Sequence, residues 1–203
     1  MKQLLISLLF VFILTATFTQ NKKEVIIEVY SSTVGQTNPY RSGAPLIGGS
    51  INPNGNGYCN IGVNYIEPLN KWLGILGGME FSNHKIKTTY WVDNPNYPEP
   101  SPTYENIQLF SFPINIQADF LKYFYARTGF MIDWETKNNS SYFNNQSGIG
   151  LNFEVGGKYE FKNHVTLFLS PFFQAHGIVL FHSEQHAYKI NNEGINIGIG
   201  YKF

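Results

Sequence analysis

Gly194-Ile195-Asn196-Ile197-Gly198-Ile199-Gly200-Tyr201-Lys202-Phe203 is the stretch whose reading decides the fold. Ile195, Ile197, Ile199, Tyr201 and Phe203 share one side of an extended chain; Asn196, Gly198, Gly200 and Lys202 share the other. Side chains alternate faces along a strand, so this pattern marks a strand lying between two unlike surroundings.

The same period runs upstream. Ile149, Leu151, Phe153, Val155, Tyr159 and Phe161 oppose Asn152, Glu154, Gly156, Lys158 and Glu160. Phe124, Ala126, Phe130, Ile132 and Trp134 oppose Tyr125, Arg127, Gly129, Asp133 and Glu135. Leu73, Ile75, Met79 and Phe81 oppose Gly74, Gly78, Glu80, Ser82 and His84. Such segments predict eight strands, at 24–33, 57–67, 72–90, 105–118, 122–136, 148–161, 164–181 and 193–203. The links between them alternate. Short ones fall at 68–71, 119–121 and 162–163; long polar ones fall at 34–56, 91–104, 137–147 and 182–192. Short turns on one side and long loops on the other are the asymmetry of a membrane barrel. The predicted fold is all-β: an eight-stranded antiparallel up-and-down transmembrane barrel.

Alternation alone does not say which face points outward, because a lipocalin-type soluble barrel alternates equally well. Three features favour lipid. The polar face is glycine and asparagine with scattered charges, not the dense lysine and glutamate of a solvated exterior. Aromatic residues gather at strand ends, as interfacial girdles require. Tyr65, Trp72, Phe120, Tyr123, Tyr159, Phe161, Tyr201 and Phe203 flank short turns; Tyr58, Tyr90, Trp91, Tyr104, Trp134, Phe181 and Tyr188 flank long loops. Finally, only a closed barrel satisfies every backbone group of a sheet in hydrocarbon.

Composition agrees. Charged residues make up 14% of the 203-residue chain, against about 25% in ordinary soluble domains. With only Arg41 and Arg127 as arginines and no basic cluster, a nucleic-acid partner is excluded. The N-terminus, Met-Lys-Gln followed by apolar Leu4 to Leu14 and small residues to Gln20, reads as a signal peptide over 1–19. Residues 20–203 form the barrel domain. The single cysteine, Cys59, allows no internal disulfide and reads as a small strand residue.

An eight-stranded barrel has an interior nearly filled by side chains. The inward face carries Glu28, Glu80, Arg127, Asp133, Glu135, Glu154, Lys158 and Lys202. Buried charges must be paired, and Arg127 with Glu154 on the next strand is the preferred pair. Glycines at 62, 74, 78, 129, 156, 198 and 200 give larger neighbours room.

The chain resembles the outer-membrane barrels of Bacteroidota, the porin-family or PorT-like proteins. Leu109-Phe110-Ser111-Phe112-Pro113-Ile114-Asn115 is similar to that family's Leu-x-Ile-Pro-Leu strand, and Tyr123 to Gly129 to the strand after it. The terminal strand is similar to those of OmpA-like and OmpX-like barrels. The resemblance implies an outer-membrane location, with lipid and lipopolysaccharide around the barrel. It also implies that the assembly machinery reads Tyr201 and Phe203. It transfers no catalytic residue and no cofactor, and this chain lacks a peptidoglycan-binding domain.

Chemistry-bearing motifs are few. His182-Ser183-Glu184-Gln185-His186 places His182, Glu184 and His186 on one side of an extended segment, a pattern able to hold zinc or copper. A lipid A-modifying enzyme using His182 or His176 with a nearby serine is a second reading, and a narrow solute channel a third. Neighbours in one loop lack the rigid support catalysis needs. The leading expectation therefore has no catalytic or metal residues: a non-enzymatic barrel acting in envelope integrity or surface interaction. The proline-rich Asn94 to Pro102 loop offers one surface for a protein partner.

Overall fold

The computed structural model describes residues 23–41, 50–91, 101–139, 143, 145–182 and 188–203. They hold β1 (Glu24–Arg41), β2 (Ser50–Pro68), β3 (Leu73–Trp91), β4 (Thr103–Phe120), β5 (Phe124–Asn138), β6 (Gly148–Glu160), β7 (Val165–Leu180) and β8 (Tyr188–Lys202). Each strand pairs antiparallel with the next, and β8 returns to β1, so the sheet closes without an edge. The signal-peptide segment, residues 183–187 of the histidine motif and residues 92–100 lie outside the described residues.

Three strands run at least five residues further than the alternation predicts. β1 reaches Arg41 instead of 33, β2 starts at Ser50 instead of 57, and β8 starts at Tyr188 instead of 193. Residues there lack an apolar face, but a ladder needs only backbone groups. Gln36 to Arg41 pair with Glu193 to Tyr188, and Ser50 to Gly55 pair with Trp91 to Ile86. β3, with 19 residues, is about 60 Å long at ~3.3 Å per residue. Tilted by about 40°, it rises well past an apolar band ~25 Å tall.

The turns opposite this extension are tight. Asn70 Oδ1 accepts the backbone N–H groups of Trp72 and Leu73, both at 2.9 Å. Between β4 and β5, Leu121 (φ 51°) and Lys122 (φ 65°) take left-handed conformations, which match the strand twist of a tight hairpin.

The apolar sides face outward. Phe130 and Trp134 are 60% and 63% exposed, and Met79, Phe153, Leu169, Ile197 and Ile199 are exposed with them. Cys59 also points outward. Tyr123 stacks on Tyr159, which meets Phe161 edge-on, forming an aromatic cluster beside the short turns. Tyr58 departs from the girdle expected of it. It turns inward, is buried, and donates to Gln174 Oε1 at 2.8 Å.

The interior is not polar throughout, which corrects the sequence reading. Ile26, Ile66, Leu76, Tyr125 and Phe168 fill its short-turn end. Ile86, Ile107, Leu109, Phe143 and Ile190 fill its long-loop end. Polar groups occupy the layers between. Glycines leave room for the neighbouring strand's inward side chains: a side chain at Gly78 would strike Asn64 and the Val63 carbonyl, and one at Gly129 would strike Asn115 and the Ile114 carbonyl.

Candidate functional site

Strand register brings the central charges together. Glu28 lies opposite Gly62, Gly62 opposite Glu80, and Arg127 opposite Glu154. Arg127, 1% exposed, reaches Glu28 Oε1 at 2.7 Å and Glu154 Oε2 at 3.2 Å through Nη1. Its Nε and Nη2 donate to Gln117 Oε1 at 3.3 and 3.0 Å. The guanidinium is thus held on both edges, as its fixed fork of donors permits.

The carboxylates are equally engaged. Glu28 accepts from Asn64 at 2.5 Å and Asn196 at 3.1 Å. Glu154 accepts from Tyr125, Ser170 and Asn196. Among the described residues Glu80 makes no ion pair; it accepts from Asn60 at 2.7 Å, Gln174 at 3.3 Å and Tyr30 at 3.4 Å. Neutral amides and hydroxyls therefore carry much of the cost of burying these groups.

The remaining predicted charges form separate groups rather than one network. Asp133 sits nearer the long loops, accepting from Ser111 at 2.6 Å and meeting His176 Nδ1 at 2.9 Å. Glu135, at the mouth, accepts the Gln146 backbone N–H at 2.8 Å and the Asn138 amide at 3.3 Å. Lys158 and Lys202 sit at the short-turn rim, on Asp119 and Glu160, each at 2.6 Å. Tyr201 and Phe203 face outward at that same rim.

Sequence reasoning missed most of the partners. Tyr30 follows from Glu28 by one period, and Gln174 and His176 follow along β7. The inward Phe168 and Phe172 disguise that strand, because they make its polar face look apolar.

Among the described residues the interior histidines sit in hydrogen-bonded pairs. His176 Nε2 meets Asn192 at 2.9 Å, and Ser111 bonds Asp133, not the imidazole. Ser82 Oγ does meet His84 Nε2 at 2.9 Å, but both are buried below Ile86 and the apolar layer around it. Among the described residues no cluster of histidine, cysteine and carboxylates is arranged to hold a metal. His182 is exposed beyond the end of β7.

No protein-family model matches the chain, and no curated protein matches its sequence. Solved structures do match its fold. The outer-membrane protein OprG of Pseudomonas aeruginosa is 14% identical, with 91% of this chain and 97% of that one covered and a TM-score of 0.52. This protein has the fold of an outer-membrane β-barrel. Other similar structures are Ail, the attachment invasion locus protein of Yersinia pestis (14% identity, 90% and 99% covered, TM-score 0.43), and the outer-membrane protein AlkL (12%, 92% and 93%, 0.46). In outer-membrane barrels of this fold the long-loop end is the extracellular end and the short turns are periplasmic.

Proposed function

We propose that this barrel is a non-enzymatic envelope protein that works through its extracellular side, in envelope integrity or surface interaction. The observation that carries this reading is an interior closed at three levels. Apolar layers fill both ends, and the Arg127–Glu28–Glu154 cluster spans the middle with its hydrogen bonds met by protein groups. A solute path needs hydrated groups along its whole length, and a lipid-modifying site needs a nucleophile within reach of lipid. Strands that rise beyond the apolar band give the outer surface a rigid platform for a protein partner. The signal peptide, the place among PorT-like Bacteroidota barrels and the reading of Tyr201 and Phe203 by assembly machinery belong to the same proposal. The outward setting of both aromatic residues supports it.

Two measurements test it. In planar bilayers the purified protein gives no steady single-channel current; a stable nanosiemens conductance supports a channel instead. Lipid A mass spectra are the same with and without the gene; a mass change abolished by His176→Ala or His182→Ala makes it an enzyme.

A further inference from the structure

The outward faces of β3, β4 and β5 change character just above the apolar band. Phe81, Phe110 and Trp134 form its upper row, paired across the strands. Beyond them the outward positions are Asn83, Lys85 and Lys87 on β3, Gln108, Asn106 and Tyr104 on β4, and Thr136 and Lys137 on β5. A bulge at Gln108/Leu109 sets Lys137 opposite Gln108, on the outward side, while Glu135 stays opposite inward Leu109.

Two properties set this face apart. It carries three cations and no outward acid among its described residues; Glu105 and Glu135 on the same strands turn inward. Its lysines also make no ion pair among the described residues. At the periplasmic rim, by contrast, Lys23, Lys158 and Lys202 each face a carboxylate, on Glu67, Asp119 and Glu160.

The height is that of lipid headgroups. Lys137 follows Trp134 by three residues, and Lys85 and Lys87 follow Phe81 by four and six, which is roughly 10–20 Å along the strands at ~3.3 Å per residue. Lys85 and Lys137 stand two strands apart, about 10 Å at ~4.8 Å per strand, so their ammonium groups can converge on one phosphorylated headgroup. Exposed Tyr104 and Trp134 border the lysines with rings suited to the interface.

We propose that Lys85, Lys87 and Lys137 form a binding face for the phosphates of the outer-leaflet glycolipid, lipopolysaccharide. The inference goes beyond the envelope role argued above and depends only on the barrel's place in the outer membrane. Acyl chains lie against Phe81, Phe110 and Ile132 while the phosphates meet the ammonium groups above them, so one lipid is held by both. An anionic surface attracts each such cation appreciably, and three acting together favour a phosphorylated lipid over its dephosphorylated form.

The test refolds the full chain into phosphatidylcholine nanodiscs carrying bis-phosphorylated or dephosphorylated lipid A, with retained lipid counted by native mass spectrometry. The phosphorylated form is expected to bind at least ten-fold tighter. Lys85→Gln/Lys87→Gln/Lys137→Gln loses that preference, the corresponding triple arginine variant keeps it, and the periplasmic control Lys122→Gln/Lys162→Gln is unchanged. Equal binding of both lipids, or a triple glutamine variant that binds as the wild type does, overturns the proposal. So does inorganic phosphate alone binding as tightly as the lipid, which indicates a free-anion site. Should the triple variant lose its gel shift on boiling, Lys137→Gln alone decides: at least a three-fold loss supports the site, and no loss overturns it.

Discussion

Two zones of this barrel obey opposite rules on the same strands. Along β3, from Leu73 to Phe81, large apolar side chains look outward while Gly78 and Glu80 look in. Further up, Lys85 and Lys87 look outward while Ile86 looks in. β4 makes the same exchange between Phe110 and Leu109, where outward apolar residues give way to Gln108 and Asn106, and inward polar ones to Leu109 and Ile107. The backbone is continuous and the ladder barely interrupted; only the solvent differs. In the belt, hydrocarbon surrounds the sheet and charged groups retreat inside. In the collar toward the long loops, polar groups look outward and an apolar layer fills much of the inside, although Thr88 and Glu105 still point in. The strand's period is a property of the chain, and its polarity is a property of the medium.

The largest test of this contrast is in the belt interior. Arg127→Met leaves the Glu28 and Glu154 carboxylates without their cation and is expected to cost about 3–5 kcal/mol. A lowered urea midpoint for the protein in lipid vesicles reads this out. Adding Glu28→Gln and Glu154→Gln should restore part of the loss; no recovery would mean that the arginine acts mainly by filling space. Next comes the same substitution made twice on one face of β5. Phe130→Lys places a cation in hydrocarbon and is expected to cost about 2–4 kcal/mol near mid-membrane. Thr136→Lys, six residues on and outward in the collar, should stay within about 0.5 kcal/mol. Equal effects at the two sites would erase the boundary between the zones. A loss at the low end of the Phe130→Lys range should come from the collar interior, where Ile107→Ala removes part of an apolar layer for about 2 kcal/mol. Thermal loss of the folded gel band checks it, and an unchanged midpoint would show that this layer is not a packed core.

These zones explain what was legible in the sequence. The terminal strand from Ile195 to Phe203 lies wholly in the belt, so its alternation gives strand, face and environment together. β5 and β6 read nearly as well, and the Arg127–Glu154 pair follows from period and register. The collar reads poorly, because its faces exchange polarity within one strand and the two halves cancel. Nothing in the sequence of residues 34–41 distinguishes a ladder-paired segment from a loop, although Gln36 to Arg41 pair with β8 through the backbone. Tyr58 misleads for a related reason: a tyrosine near a strand end suits an interfacial girdle, but it equally suits a buried position with a partner for its hydroxyl. The Gln117 clamp on Arg127 was invisible, since a neutral amide carries no sign of its partner.

The outward setting of Cys59 has its own outcome. On β2 it lies between Ile61 and Gly57, where its neighbours across the sheet are Ser31 and Asn83. That level is one step above the Ile61–Phe81 row, at the upper edge of the apolar band. The chain's single sulfhydryl therefore marks the boundary between the two zones, and a membrane-soluble maleimide dye attached there would report immersion depth by quenching with brominated lipids.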